Sequence, residues 1–257
     1  MRIILLGRKS IACDALRYML SCGAEMLTVV APEKTDLIKQ ESLAKTAQNF
    51  NIPVTTDDDL YEMIAHNQLQ NVDLVISIVH QRLIKQPLID LGRMGCINFH
   101  PAPLPEYRGW GTYNLGILDN IDYWGTSAHF VNSEFDKGPL IQVNRFPIEM
   151  QKQTAYSLEQ ITQKHLLQTF ISVFDKIINH ESLPSTPQGE GRYISKKEFE
   201  LLREISDDDS PELIERKTRA FWFPPYLGAQ IKINNQKFTL ISNAMLDTIG
   251  ENYHGMY

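Results

Sequence analysis

The chain has 257 residues, 43% hydrophobic and 22% charged, which suits one full α/β domain with a small appendage around a sizeable core. A net charge of −6 supplies no overall basic field, so the composition argues against a nucleic-acid partner. No apolar stretch approaches the roughly 20 residues that cross a bilayer, and the run at residues 3–6 is too short for a signal peptide.

The first hundred residues alternate strand and helix. Residues 2–6 read as a strand ending at Gly7. Residues 11–20 carry apolar side chains at helical spacing, and residues 25–30 form a second strand. Pro32 and Glu33 open a loop, residues 35–50 read as a helix, and residues 51–55 as a short strand. Thr56 before Asp57, Asp58 and Asp59 is a helix-start signal. Residues 72–79, VDLVISIV, are the clearest strand: a β-branched run of the kind buried on both faces of a sheet. Residues 95–99 form another. This order predicts an α/β fold with a doubly wound, mostly parallel sheet.

Beyond residue 100 the pattern changes. Pro101, Pro103 and Pro105 punctuate a loop. Residues 125–132 and 140–146 read as strands, and residues 154–180 as a long helix. Residues 183–192 are rich in Pro, Ser, Gly and Gln and read as a linker. In the remainder, residues 221–226 and 231–241 read as strands, the latter around a turn at Asn234 and Asn235; Asp207 to Asp209 read as a solvated helix-start loop before Pro211. The expected division is a catalytic domain over residues 1–188 and a small mixed subdomain over residues 189–257. Cys13, Cys22 and Cys96 form no CxxC pair and fit reduced thiols in a cytoplasmic protein.

Two stretches could carry chemistry. Gly7-Arg8-Lys9-Ser10 has one glycine where a dinucleotide fingerprint needs three, which disfavours a nicotinamide enzyme despite Glu33 near the ribose-binding position. Either Arg8, Lys9 and Ser10 hold a phosphate at a helix N-terminus, or they are a plain turn with solvated charges. The second stretch runs from Asn98 and His100, alternating on one face of a strand end, through the proline loop to Gly109, with Asp136 farther on. An amide, an imidazole and a carboxylate suit acyl transfer to an amine: the amide or a protonated imidazole meets the developing oxyanion, and His or Asp relays the proton. By spacing alone, a lone histidine after a strand is more often structural than catalytic.

At these residues the sequence resembles the folate-dependent formyltransferases, which include the methionyl-tRNA, glycinamide-ribonucleotide and sugar N-formyltransferases. Asn98-Phe99-His100-Pro101 through Leu104-Pro105 to Gly109 is similar to their signature, and His129-Phe130-Val131 with Asp136-Lys137-Gly138-Pro139 to their second element. The resemblance implies 10-formyltetrahydrofolate as formyl donor, no metal, and Asn98, His100 and Asp136 as the catalytic set. It also implies folate held by the backbone of His80, Gln81, Arg82, Leu83 and Ile84, with the loop at Asp136 closing the other side.

The tail points within the family. Arg219-Ala220 through Pro224-Pro225-Tyr226 to Gly228-Ala229 resembles the amino-sugar enzymes, whereas the methionyl-tRNA enzyme carries a larger tRNA-gripping barrel than residues 193–257 provide. This implies a nucleotide-linked, dTDP-type amino-dideoxy sugar made for surface polysaccharide such as lipopolysaccharide O-antigen, and a homodimer. Candidate acceptor contacts are Arg8, Lys9, Ser10, Pro103, Tyr107, Arg108, Trp110, Trp222 and Tyr226. Phe221, Trp222 and Phe223 are apolar enough to act as a packing plug. Formylation of Met-tRNA, formyltetrahydrofolate hydrolysis and a catalytically silent binding module stand as alternatives.

Overall fold

The structure, a computed structural model, describes residues 1–32, 41–243 and 245–246. Its strands are β1 (Arg2–Gly7), β2 (Glu25–Val30), β3 (Val54–Thr55), β4 (Leu74–Ile78), β5 (Cys96–His100), β6 (Tyr107–Gly109), β7 (Tyr123–Phe130), β8 (Leu140–Pro147), β9 (Arg192–Ile194), β10 (Gln230–Ile233) and β11 (Gln236–Thr239). Its α-helices are α1 (Lys9–Ser21), α2 (Leu43–Asn49), α3 (Asp57–Ala65), α4 (Thr112–Asp119), α5 (Ala155–Ile178), α6 (Lys196–Leu202) and α7 (Pro211–Ala220).

Seven strands make the central sheet in the order β3-β2-β1-β4-β5-β7-β8. The pairings β1–β2, β1–β4, β2–β3 and β4–β5 are parallel, and β5–β7 is antiparallel. The strand order doubles back at β1, which is the doubly wound arrangement. The apolar runs are divided between two cores because successive side chains leave a strand on opposite faces. Ile3, Leu5, Ile76, Ile78, Ile97 and Phe99 pack with α1 and α5 residues, whereas Ile4, Leu6, Val75 and Cys96 pack with Leu60 and Ile84. The first core includes Phe99, Phe170 and Phe174, with Phe99 edge-on to Phe170 at 5.1 Å. The second core shares its face of β5 with Asn98 and His100.

Local signals account for the helix starts. The Thr56 hydroxyl accepts from the Asp59 amide, and three aspartates fill the first turn of α3. Ser210 caps α7 with Pro211 at its first position, following the Asp207–Asp209 loop. Asp209 of that loop is not simply solvated: its carboxylate meets Lys217 at 2.5 Å. The helix expected over residues 35–50 begins, among the described residues, only at Leu43, because the Ser42 side chain accepts from the Lys45 amide and caps it. Residues 33–40, with Glu33, lie outside the described residues.

The chain divides into two compact units. The larger comprises residues 1–108, 125–146 and 161–192, and the smaller residues 109–124, 147–160 and 193–257. The smaller unit contains α4 and α6, which the sequence pattern did not anticipate, α7, whose start before Pro211 it did, and the β10–β11 hairpin. That hairpin turns at Asn234 and Asn235 with φ of +48° and +67°, a turn type that Asn tolerates. The strand expected over residues 221–226 is instead an irregular turn, because Pro224 and Pro225 have no N–H to offer a ladder. Phe221 is buried and packs on Phe199, ring centroids 5.4 Å apart, as a plug inside this unit.

Candidate active site

The parallel register of β4 on β5 sets Ser77 opposite Asn98, and the antiparallel register of β5 on β7 sets Asn98 opposite His129. Three strands thus align one polar row. Ser77 Oγ donates to Asn98 Oδ1 at 2.7 Å, and Asn98 Nδ2 lies 3.1 Å from His129 Nε2. His129 Nδ1 is 2.7 Å from the Phe130 carbonyl, which only accepts, so Nδ1 carries the proton and Nε2 accepts from Asn98. The row fixes the direction of the amide. Its oxygen faces Ser77, and its nitrogen faces His129 and Asp136.

His100 closes the end of β5. Its Nε2 lies 2.8 Å from the Tyr107 carbonyl on β6, which places the proton on Nε2 and turns the Nδ1 lone pair toward Asp136 Oδ1 at 3.4 Å. Burial pushes the His100 imidazole below its ordinary range, and the Asp136 carboxylate works against that shift. The proline loop after His100 is held by Ser127, which accepts from the Leu104 amide at 2.9 Å and donates to the Ala102 carbonyl at 2.8 Å.

Asp136 sits on the loop between β7 and β8 with φ of +51°, a left-handed backbone that Asp adopts more readily than most residues. Asn98 Nδ2 reaches its Oδ1 at 3.4 Å, and His129 Nε2 is 3.7 Å away. Gly138 is required two residues on: a Cβ there would stand 1.7 Å from the Phe130 carbonyl. Asn98, His100 and Asp136, paired from the sequence, therefore meet at one point. Ser77, His129 and Tyr107 hold them there.

The segment after β4 is also fixed. His80 Nε2 lies 2.9 Å from Asp57 Oδ1 at the start of α3; burial raises the Asp57 carboxyl, but His80, Arg82 and a backbone amide together outweigh it and the net shift is downward. Arg82 bonds Asp58 at 2.9 Å, and Ile84 is buried in the second core. A cavity of about 530 Å³ opens beside Arg82 and Leu83, lined also by Asp57, Asp58, Tyr61, Lys85 and Gln86.

The candidate acceptor residues fall in both units. In the larger unit, Arg8 is buried, which removes the solvated-charge reading for it, while Lys9 and Ser10 are half-buried at the start of α1. Pro103, Tyr107 and Arg108 are buried there too. In the smaller unit, Trp110 carries the Lys196 ammonium 5.4 Å from its ring centroid, Trp222 is half-buried, and Tyr226 is 48% exposed.

A doubly wound sheet thus brings an amide and an imidazole at the end of β5 together with a carboxylate from the β7–β8 loop, and residues 24–174 match the formyl transferase family, to which the chain belongs. It is an N-formyltransferase. Among curated relatives, the GDP-perosamine N-formyltransferase of Brucella melitensis is 29% identical over 193 residues, covering 74% of this chain and 71% of that one. The methionyl-tRNA formyltransferase of Wolbachia pipientis is 24% identical over 99% of this chain and 87% of its own. Matches to three further methionyl-tRNA formyltransferases span only 48%, 54% and 50% of those proteins. Among solved structures, WlaRD, a sugar 3N-formyl transferase crystallised in the presence of dTDP and 5-N-formyl-THF, is 26% identical with a TM-score of 0.74, over 92% of this chain and 84% of that one. A 4-N formyltransferase from Francisella tularensis shares the fold at 20% identity, with a TM-score of 0.76 over 94% and 96% of the chains.

Proposed function

We propose that this chain transfers the formyl group of 10-formyltetrahydrofolate to the amine of a nucleotide-linked amino-dideoxy sugar. The observation that carries the reading is the convergence of Asn98 Nδ2, His100 Nδ1 and the Asp136 carboxylate, with the first two oriented by groups that leave no other choice of donor and acceptor. Attack of the amine on the formyl carbon builds negative charge on the formyl oxygen, and the Asn98 N–H that lies 3.4 Å from Asp136 turns to stabilise it. The attacking nitrogen sheds a proton. Neutral His100 accepts it at Nδ1, and Asp136 stabilises the imidazolium that results. The formyl C–N bond to the folate then breaks, and the proton passes to the departing folate nitrogen.

The folate lies along residues 80–84, with Leu83 and Tyr61 offering apolar surface and Arg82 and Lys85 cationic ends. The acceptor's diphosphate lies at Lys9 and Ser10, near the N-terminus of α1. The sugar-directed relatives support this acceptor class. We take dTDP as the nucleotide, a cytoplasmic homodimer as the working form, and surface polysaccharide as the destination of the product. The domain division follows residues 1–188 and 189–257, with the transfer chemistry in the first.

The test is mass-spectrometric detection of formylated product when the protein and 10-formyltetrahydrofolate are given dTDP-, UDP- and GDP-linked amino sugars. Formyl transfer to Met-tRNA alone establishes the second reading, which the Wolbachia relative favours. Formate released without any acceptor establishes a hydrolase.

A further inference from the structure

Residues 183–192 lack helix and sheet signals, yet they lie against the Asp136 loop. The Leu140 amide donates to the Thr186 carbonyl at 2.7 Å and the Thr186 amide returns the bond at 3.0 Å, an antiparallel bridge at the start of β8. This carries Gln188 alongside the loop. Its side-chain nitrogen donates to the Asp136 carbonyl at 2.9 Å and to the Gly138 carbonyl at 2.6 Å, so both amide hydrogens are engaged. Its oxygen accepts from Arg108 Nε at 3.0 Å, and Arg108 Nη2 donates to the Gly189 carbonyl at 2.8 Å. A guanidinium only donates, so Arg108 dictates that Gln188 turns its oxygen inward and its nitrogen to the loop.

The carboxylate contacts of Asp136 to His100 and Asn98 are long, 3.4 Å each, and do not by themselves hold a left-handed residue in place. The Gln188 bonds are shorter and grip the backbone on both sides of residue 137. We infer that Arg108 and Gln188 are positioning residues for formyl transfer, a half-buried clamp that sets the Asp136 carboxylate against His100. The inference rests on the catalytic part proposed above for Asp136. It also gives Arg108 a task apart from the acceptor: β6 anchors His100 through the Tyr107 carbonyl and Asp136 through the Arg108 guanidinium.

The test uses the full chain and the variants Gln188→Ala, Gln188→Glu, Arg108→Ala, Arg108→Lys and the double Gln188→Ala/Arg108→Ala. Gln188→Glu keeps the shape and removes both donors. The readouts are kcat and the folate KM with whichever amino sugar the wild type accepts, the dissociation constant of 5-formyltetrahydrofolate, thermal stability, and the His100 imidazole titration by NMR. The expected result is a kcat loss of roughly 10- to 100-fold, as for a catalytic group displaced by about an ångström, with folate KM little changed. The double variant falls no further than the worse single, because both residues act through one contact, and Arg108→Lys recovers part of the loss. His100 titrates lower in the Gln188 variants, since it loses the carboxylate that opposes its burial. Unchanged kcat and an unmoved titration in Gln188→Glu overturn the inference. So does failure of both Gln188 variants to fold, which makes the clamp a brace for the fold alone. If the wild type formylates no amino sugar, the acceptor reading falls, and the titration and folate binding still decide the clamp.

Discussion

The hydroxyl of Ser77 stands 2.7 Å from Oδ1 of Asn98, and that contact turns the amide nitrogen toward His129 and Asp136. Asn98→Ala should lower kcat about 100-fold or more, as expected for loss of an oxyanion donor. Ser77→Ala leaves the donor in place but frees the amide to rotate, so its kcat should fall less, about 10-fold, with the folate KM unchanged. Steady-state kinetics on both variants check the order; a Ser77→Ala enzyme as active as wild type removes the row from the mechanism.

His100 sets the acid limb. Its imidazole lies below the ordinary value of about 6.5 because it is buried, and it works as a proton acceptor only when neutral. Turnover should therefore be flat above that value and fall as pH drops through the depressed one. Stability follows the same sign. Between the two values the unfolded chain binds a proton that the folded chain refuses, so stability declines as pH falls through this window. Urea midpoints from pH 7.5 down to 5, compared with His100→Asn, isolate the contribution. A wild-type protein that gains stability on acidification relative to the variant contradicts the assignment.

Lys9 opens α1 with φ of +68°, beside the buried Arg8. Lys9→Ala should raise KM for the nucleotide sugar far more than for folate, by the ~1.5–3 kcal/mol of a charge-assisted phosphate contact. Lys9→Gly should lose the same affinity while matching or exceeding wild-type stability, because glycine adopts a left-handed backbone without strain. Equal increases in both KM values point instead to a disturbed fold.

The thiols should separate cleanly. Cys13 and Cys96 are buried and burial raises both, Cys96 to about 12, whereas Cys22 is exposed. A disulfide reagent should therefore label one thiol of three in the native protein and all three in denaturant. Rapid native labelling of Cys96 would mean that β5 opens far more readily than its burial allows.

The centre of the sheet was legible because β1 and β4 are apolar on both faces, a pattern that needs no partner to be recognised. The proposed set of Asn98, His100 and Asp136 was legible through its motif. Ser77 left a faint mark, as the one hydroxyl inside VDLVISIV, where a buried polar atom asks for a partner. Gln188 left none: in a stretch of Pro, Ser and Gly its contacts depend wholly on where β8 lies. The helix α4 escaped because Thr112, Asn114 and Gly116 have weak helical preference and its packing supplies the difference.

Asn98 and His129 face each other across the one antiparallel seam of β5, and this makes the catalytic strand pair intolerant of frame errors. Inserting one residue into β7 would turn His129 to the opposite face and bring Ala128 or Phe130 to Asn98. Length changes in the loop beyond, by contrast, leave that alignment untouched. A frame error in either strand would therefore separate the amide from His129 at once, whereas the loop between β7 and β8 is constrained through Asp136 and Gly138.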